Sequence, residues 1–121
     1  MKKKLIVLVF VLALAMTGCI QDYLVAPKGT TLYINAYPTT IYYENDYSLI
    51  TVTAFEASGR PIRDDVTVYF FTDLGTITPE AKTKDGKAVV KLYSDKREGT
   101  ATVKASMPGA GDVTVSVEIV R

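Results

Sequence analysis

The 121-residue chain contains no histidine and no tryptophan, and it has a single cysteine. Without histidine the commonest general base is missing, and no serine or lysine stands in a recognisable nucleophile motif, so a non-enzymatic role is expected. One thiol cannot form an intramolecular disulfide, which leaves stability to the apolar interior. Five aspartates, Asp46, Asp64, Asp65, Asp73 and Asp85, are the remaining oxygen donors of interest. Their spacing matches no calcium loop, so they read as solvated turn residues, and neither metal nor cofactor is expected. A composition 48% hydrophobic and 22% charged suits one globular domain rather than a disordered tail.

The first 18 residues stand apart from that domain. Lys2, Lys3 and Lys4 form a basic region, Leu5 to Met16 is an uninterrupted apolar run, and Thr17-Gly18-Cys19 supplies small residues for cleavage. A spanning helix needs about 20 apolar residues, and this run gives way earlier to Gln21 and Asp22, so a cleaved secretory signal is the better reading than an uncleaved anchor. Removing the three lysines from 14 basic residues leaves 11 against 13 acidic, a net of −2. The remaining basic residues are scattered, which argues against a nucleic-acid partner.

Met16-Thr17-Gly18-Cys19 resembles the lipobox of bacterial lipoproteins, with Met16 in place of the usual leucine. The resemblance implies cleavage before Cys19 and acyl chains, palmitate among them, on that residue. One acyl chain holds a protein only marginally, whereas two or three hold it firmly. Residues 19–30, polar and containing Pro27 and Gly29, read as a tether that reaches about 35 Å if its last eleven residues are extended. Ile20 and Gln21 lack the aspartate that retains many enterobacterial lipoproteins in the inner membrane. The expected location is therefore the outer membrane, or the outer face of the plasma membrane in a cell without one.

From Thr31 onward the pattern is that of short strands. Leu32, Ile34 and Ala36 alternate until Pro38 interrupts them, predicting an edge strand that breaks and resumes at Ile41 to Tyr43. Ile50, Val52 and Ala54 share one face of the next run, as do Val66, Val68 and Phe70 of the run after it. Asp85-Gly86 predicts a tight hairpin turn feeding Ala88 to Tyr93. Two further alternating runs carry Val103 and Val117, and no amphipathic helix is evident beyond the signal. About seven short strands at this spacing indicate an all-β, immunoglobulin-like Greek-key β-sandwich over residues 31–121.

The stretch Glu56-Ala57-Ser58-Gly59-Arg60-Pro61-Ile62, followed by Val66-Thr67-Val68-Tyr69-Phe70, resembles the bacterial immunoglobulin-like domain, group 1, of the invasin and intimin type. Gly75-Thr76-Ile77-Thr78-Pro79, Thr83 and Asp85-Gly86-Lys87-Ala88 continue the match in order, within a resemblance that runs from Ser48 to Val120. Where relatives often have glycine before the Val-x-Val-x-Phe strand, this chain has Asp64-Asp65. The resemblance implies a sandwich used as a stalk, spacer or binding module. Relatives often occur in tandem arrays, whereas here the last strand is followed directly by Arg121, so a binding or assembly subunit is expected ahead of a simple stalk.

Tyr33, Tyr37, Tyr42, Tyr43 and Tyr47 crowd into fifteen residues, with Tyr69 and Tyr93 on outward positions of later strands. Tyrosine gives large contact area at low entropy cost, so the five form a candidate surface for a protein or glycan partner. The alternative is that they are strand formers packed into the ends of the sandwich. Burial decides between the two.

Overall fold

The computed structural model describes residues 25–121. Nine strands make up the regular structure of that span: β1 (Thr31–Tyr37), β2 (Thr40–Tyr42), β3 (Tyr47–Phe55), β4 (Thr67–Thr72), β5 (Thr76–Ile77), β6 (Glu80–Lys82), β7 (Lys87–Tyr93), β8 (Gly99–Met107) and β9 (Gly111–Val120). They form a four-stranded sheet in the order β1-β3-β7-β5 and a five-stranded sheet in the order β2-β9-β8-β4-β6. Every pairing is antiparallel except that of β2 with β9. The expected all-β, immunoglobulin-like sandwich is the observed fold.

Period-two alternation builds the interior. Ile50, Val52 and Ala54 of β3 are fully buried, and Val68 and Phe70 of β4 meet the same core from the other sheet. The two runs around Gly59 and Pro61 are therefore not a hairpin; they are opposite walls of one interior. Burying a side chain of this size contributes about 1.5–3 kcal/mol, and alternation allows it while the other face of each strand stays wet.

The short strands reflect changes of sheet. The edge strand that proline was expected to break in fact transfers: β1 pairs with β3, a cis Tyr37–Pro38 peptide follows, and β2 joins the other sheet beside β9. Ser48, wholly buried, donates its hydroxyl to the Pro38 carbonyl at 2.7 Å and ties this transfer to β3. The Asp85-Gly86 turn is also reassigned. Lys84 and Lys87 do bridge across it, but β6 before it and β7 after it lie in different sheets. β6 leaves no signal in the sequence, because three residues with one apolar side chain carry no usable period.

The longest crossing, from β3 to β4, is held by side chains and turns that converge on one point. The Thr83 hydroxyl, buried beneath the loop, donates to the Arg63 carbonyl at 2.8 Å and accepts from the Val66 amide at 3.0 Å. Backbone bonds from Asp65 N–H to Thr83 and from Thr83 N–H to Val66 flank it. The Ala54 amide donates to Gly86, and the Ala54 carbonyl accepts from Ile62. A Cβ on Gly86 would stand 2.8 Å from the Pro61 Cβ, and its φ of +79° also suits glycine, so only glycine lets the two loops touch. Asp65 takes φ 68° itself, while Asp64 accepts a hydrogen bond from the Asp85 amide. Aspartate tolerates this left-handed conformation better than most residues.

Residues 25–30 lie against the sandwich. The Ala26 amide donates to the Pro108 carbonyl at 2.8 Å, Ala26 is buried, and Arg63 donates to the Val25 carbonyl. Five residues of the sequence, 20–24, separate Cys19 from this docked segment.

Thr83→Val strands the Val66 amide and the Arg63 carbonyl without their partner and is expected to destabilise the domain by about 2–3 kcal/mol, read from a denaturant midpoint. Thr83→Ser keeps both bonds and should lose only about 1 kcal/mol, the value of one buried carbon. At Asp65, valine should cost about 1–2 kcal/mol and glycine should cost nothing, because only the former resists a positive φ.

Candidate functional site

Strand parity divides the tyrosines into two groups. Tyr33, Tyr37 and Tyr47 point outward from the four-stranded sheet, where Tyr37 is 79% exposed. On that face Tyr47 pairs with Tyr93 across β3 and β7, ring centroids 5.9 Å apart, and Lys91 Nζ lies 4.6 Å from the Tyr47 ring. Tyr33 meets Phe55 edge to face at 6.1 Å. Val89 and Leu49, also outward, extend the apolar surface between these aromatic pairs.

Tyr42 and Tyr43 belong elsewhere. Tyr42 projects from β2 at the margin of the five-stranded sheet, opposite Val120, and Tyr43 is half-buried against the core. Their rings lie 5.4 Å apart, and the Arg121 guanidinium sits 5.4 Å from the Tyr43 ring centroid. The single tyrosine cluster read from the sequence is thus two surfaces, one broad and one compact. Tyr93, Lys87, Lys91 and Arg121 complete them. Parity against the buried alternate residues was the signal for the first three; nothing local marked Arg121.

The turn joining the two surfaces is fixed by Asp46. Its carboxylate accepts from the Tyr42 amide at 2.9 Å and from the Tyr47 amide at 2.8 Å. The two bonds, that from Tyr42 the stronger influence, hold the Asp46 pKa below the usual carboxylate value despite a small opposing effect of burial. Ser94, the residue after β7, closes the turn by accepting from the Asp46 amide at 3.2 Å. The other aspartates serve turns too: Asp73 accepts from the Thr102 amide at 2.7 Å, and Asp95 pairs with Arg97, which lowers its pKa. Among the described residues no group of acidic or cysteine side chains is arranged to hold a metal ion. The described residues form open depressions of about 300 Å³ that include one lined by Phe71, Thr102 and Lys104 and one beside Val25 and Arg63. Neither gathers groups suited to acid–base or nucleophilic chemistry. Cys19 and the signal segment lie outside the described residues.

With this geometry established, comparison places the fold in a lineage. The family model of invasin, domain 3, matches residues 29–121. The chain belongs to the invasin domain 3 family. Among solved structures it is similar to the D0-D1 domains of intimin, at 29% identity and a TM-score of 0.67, over 74% of this chain and 47% of that one. It is also similar to invasin, described as a bacterial integrin-binding protein, at 28% identity and a TM-score of 0.64, over 78% of this chain and 20% of that one. A 282-residue intimin fragment in complex with the intimin-binding domain of its translocated receptor matches at 29% identity and a TM-score of 0.64, over 74% of this chain and 32% of the fragment. The chain thus spans less than half the length of each structure. No curated protein sequence matches it. Of the residues noted above for their invasin-type resemblance, Pro61, Thr83 and Gly86 help pin the β3–β4 crossing, and Lys87 stands on the tyrosine-bearing outer face of the four-stranded sheet.

Because Asp46 is more acidic in the folded chain, its contribution to stability is full above the ordinary aspartate pKa and is lost as pH falls through the lowered folded value. In an NMR titration the Tyr42 and Tyr47 amide shifts should follow a carboxylate with a midpoint below 3.8, and Asp46→Ala should abolish that step.

Proposed function

We propose that this chain is a lipid-anchored cell-envelope lipoprotein whose immunoglobulin-like domain acts as a non-enzymatic binding or assembly module for another envelope protein or a surface glycan. Its membership of an adhesin-type family supports an envelope role, and the lipobox-like Met16-Thr17-Gly18-Cys19 supports attachment through acyl chains on Cys19. The observation that carries the reading is the compact surface of Tyr42, Tyr43, Val120 and Arg121. Tyrosine and arginine dominate the energetics of protein interfaces, and here two rings and a guanidinium meet beside an exposed aliphatic side chain. Asp46 holds the Tyr42 backbone in place, which lowers the entropy lost on binding.

A second reading is a structural spacer or accessory subunit of an adhesin or surface filament. The size of its structural relatives favours it, since this chain corresponds to less than half of each.

Two measurements test these readings. Capture of a partner from gently solubilised membranes should be saturable, should weaken at least tenfold in the Tyr42→Ala, Tyr43→Ala, Arg121→Ala variant, and should survive Tyr69→Ser, three strands away from β2 in the same sheet. Absence of any saturable partner selects the spacer. Separately, metabolic acyl labelling should mark the wild type and disappear in Cys19→Ser.

A further inference from the structure

The outer face of the four-stranded sheet has a charge pattern unlike the rest of the molecule. Its strand residues include two lysines, Lys87 and Lys91, and no carboxylate. The outer face of the five-stranded sheet is mixed, with Glu80, Asp112 and Glu118 beside Lys82 and Lys104. Around the two lysines stand Tyr33, Tyr37, Tyr47 and Tyr93, and Val89 and Leu49 remain 50% and 37% exposed between them. From the row of Tyr33, Thr53 and Lys87 to the row of Tyr47 and Tyr93 is six residues of β3, a length of about 20 Å.

Resting on the reading of Cys19 as an acylated anchor, we propose that this face lies against an anionic phospholipid bilayer. Tyrosine rings favour the headgroup level, where one end of the ring is apolar and the other wet. Lysine stems lie along apolar surface while their ammonium groups reach phosphates, a habit already visible where Lys91 crosses the Tyr47 ring. Lysine is depleted at the centres of protein interfaces, so this composition suits lipid better than the arginine-bearing surface at Tyr42 and Tyr43 does.

The length of chain between Cys19 and the docked Val25 supports the same occupant. The six Cα-to-Cα steps from Cys19 to Val25 reach at most about 20 Å, so an acylated Cys19 keeps the sandwich within roughly its own width of the bilayer. At such a separation the effective concentration of the surface is in the millimolar range, and a face of low intrinsic affinity is enough to set orientation. Docked in this way, the domain turns the five-stranded sheet and the Tyr42–Tyr43 margin away from the lipid, toward a partner.

The test reconstitutes the full chain into phosphatidylcholine vesicles with and without phosphatidylglycerol and follows lysine acetylation by a water-soluble reagent. Intact mass of the same sample reports acylation of Cys19. Lys87 and Lys91 should react about fivefold more slowly in anionic vesicles, the gain expected from one lysine near a charged surface, while Lys104 on the opposite sheet is unchanged. One molar salt should remove the protection. Equal reactivity of all three lysines on acylated protein overturns the proposal and leaves the anchor standing; protection of Lys87 and Lys91 on unacylated protein keeps the face and removes the anchor. Protection by soluble polygalacturonate where phosphatidylglycerol gives none also overturns it, in favour of an acidic polysaccharide.

Discussion

One buried hydroxyl holds the passage between the two sheets together. The chain must cross the core from Phe55 to Val66, and a crossing carries polar backbone into a region with little water to satisfy it. Thr83 meets that need from β6's end of the molecule, giving the Val66 amide an acceptor and the Arg63 carbonyl a donor. The Gly86–Pro61 contact and the Ala54 bonds bring the remaining loops to the same point. These bonds join elements distant in sequence at the point where the chain changes sheet, and the alternation of the strands on either side decides which side chains face inward.

The surfaces follow from that assignment. With Ile50 and Val52 committed to the interior, Leu49 and Tyr47 have to face out; with Ala88, Val90 and Leu92 inside, Lys87, Val89, Lys91 and Tyr93 must form the opposite face. The tyrosine-rich platform is a consequence of register as much as of composition. Asp46 then joins the platform to the Tyr42–Tyr43 margin while keeping the backbone of both fixed. Among the described residues, which include no cysteine, hydrogen bonds at the sheet crossings and an alternating aliphatic core hold the two sheets together.

Much of this was legible in the chain itself. The alternation of Ile50, Val52 and Ala54 and of Ala88, Val90 and Leu92 identifies strands and their buried faces without any further information. The transfers between sheets were not legible as such: Pro38 announces an interruption, but the destination of β2 depends on β9, almost eighty residues later. Asp85-Gly86 specifies a tight turn, yet a turn says nothing about whether its two arms pair with each other or with different sheets. The tyrosine cluster was found as composition and divided only by register. Arg121 joins Tyr43 through tertiary packing that no local pattern encodes. Within the stretches that resemble the invasin type, Pro61, Thr83 and Gly86 serve the packing of the crossing.

Native-state hydrogen exchange tests most directly whether the crossing belongs to the same cooperative unit as the central strands. The amides of Ile62, Val66 and Thr83 should exchange only on global unfolding, with the protection of Val52 in β3 and Val103 in β8 and the same dependence on denaturant. Exchange of those three amides through local opening, faster by orders of magnitude and insensitive to denaturant, would contradict the account.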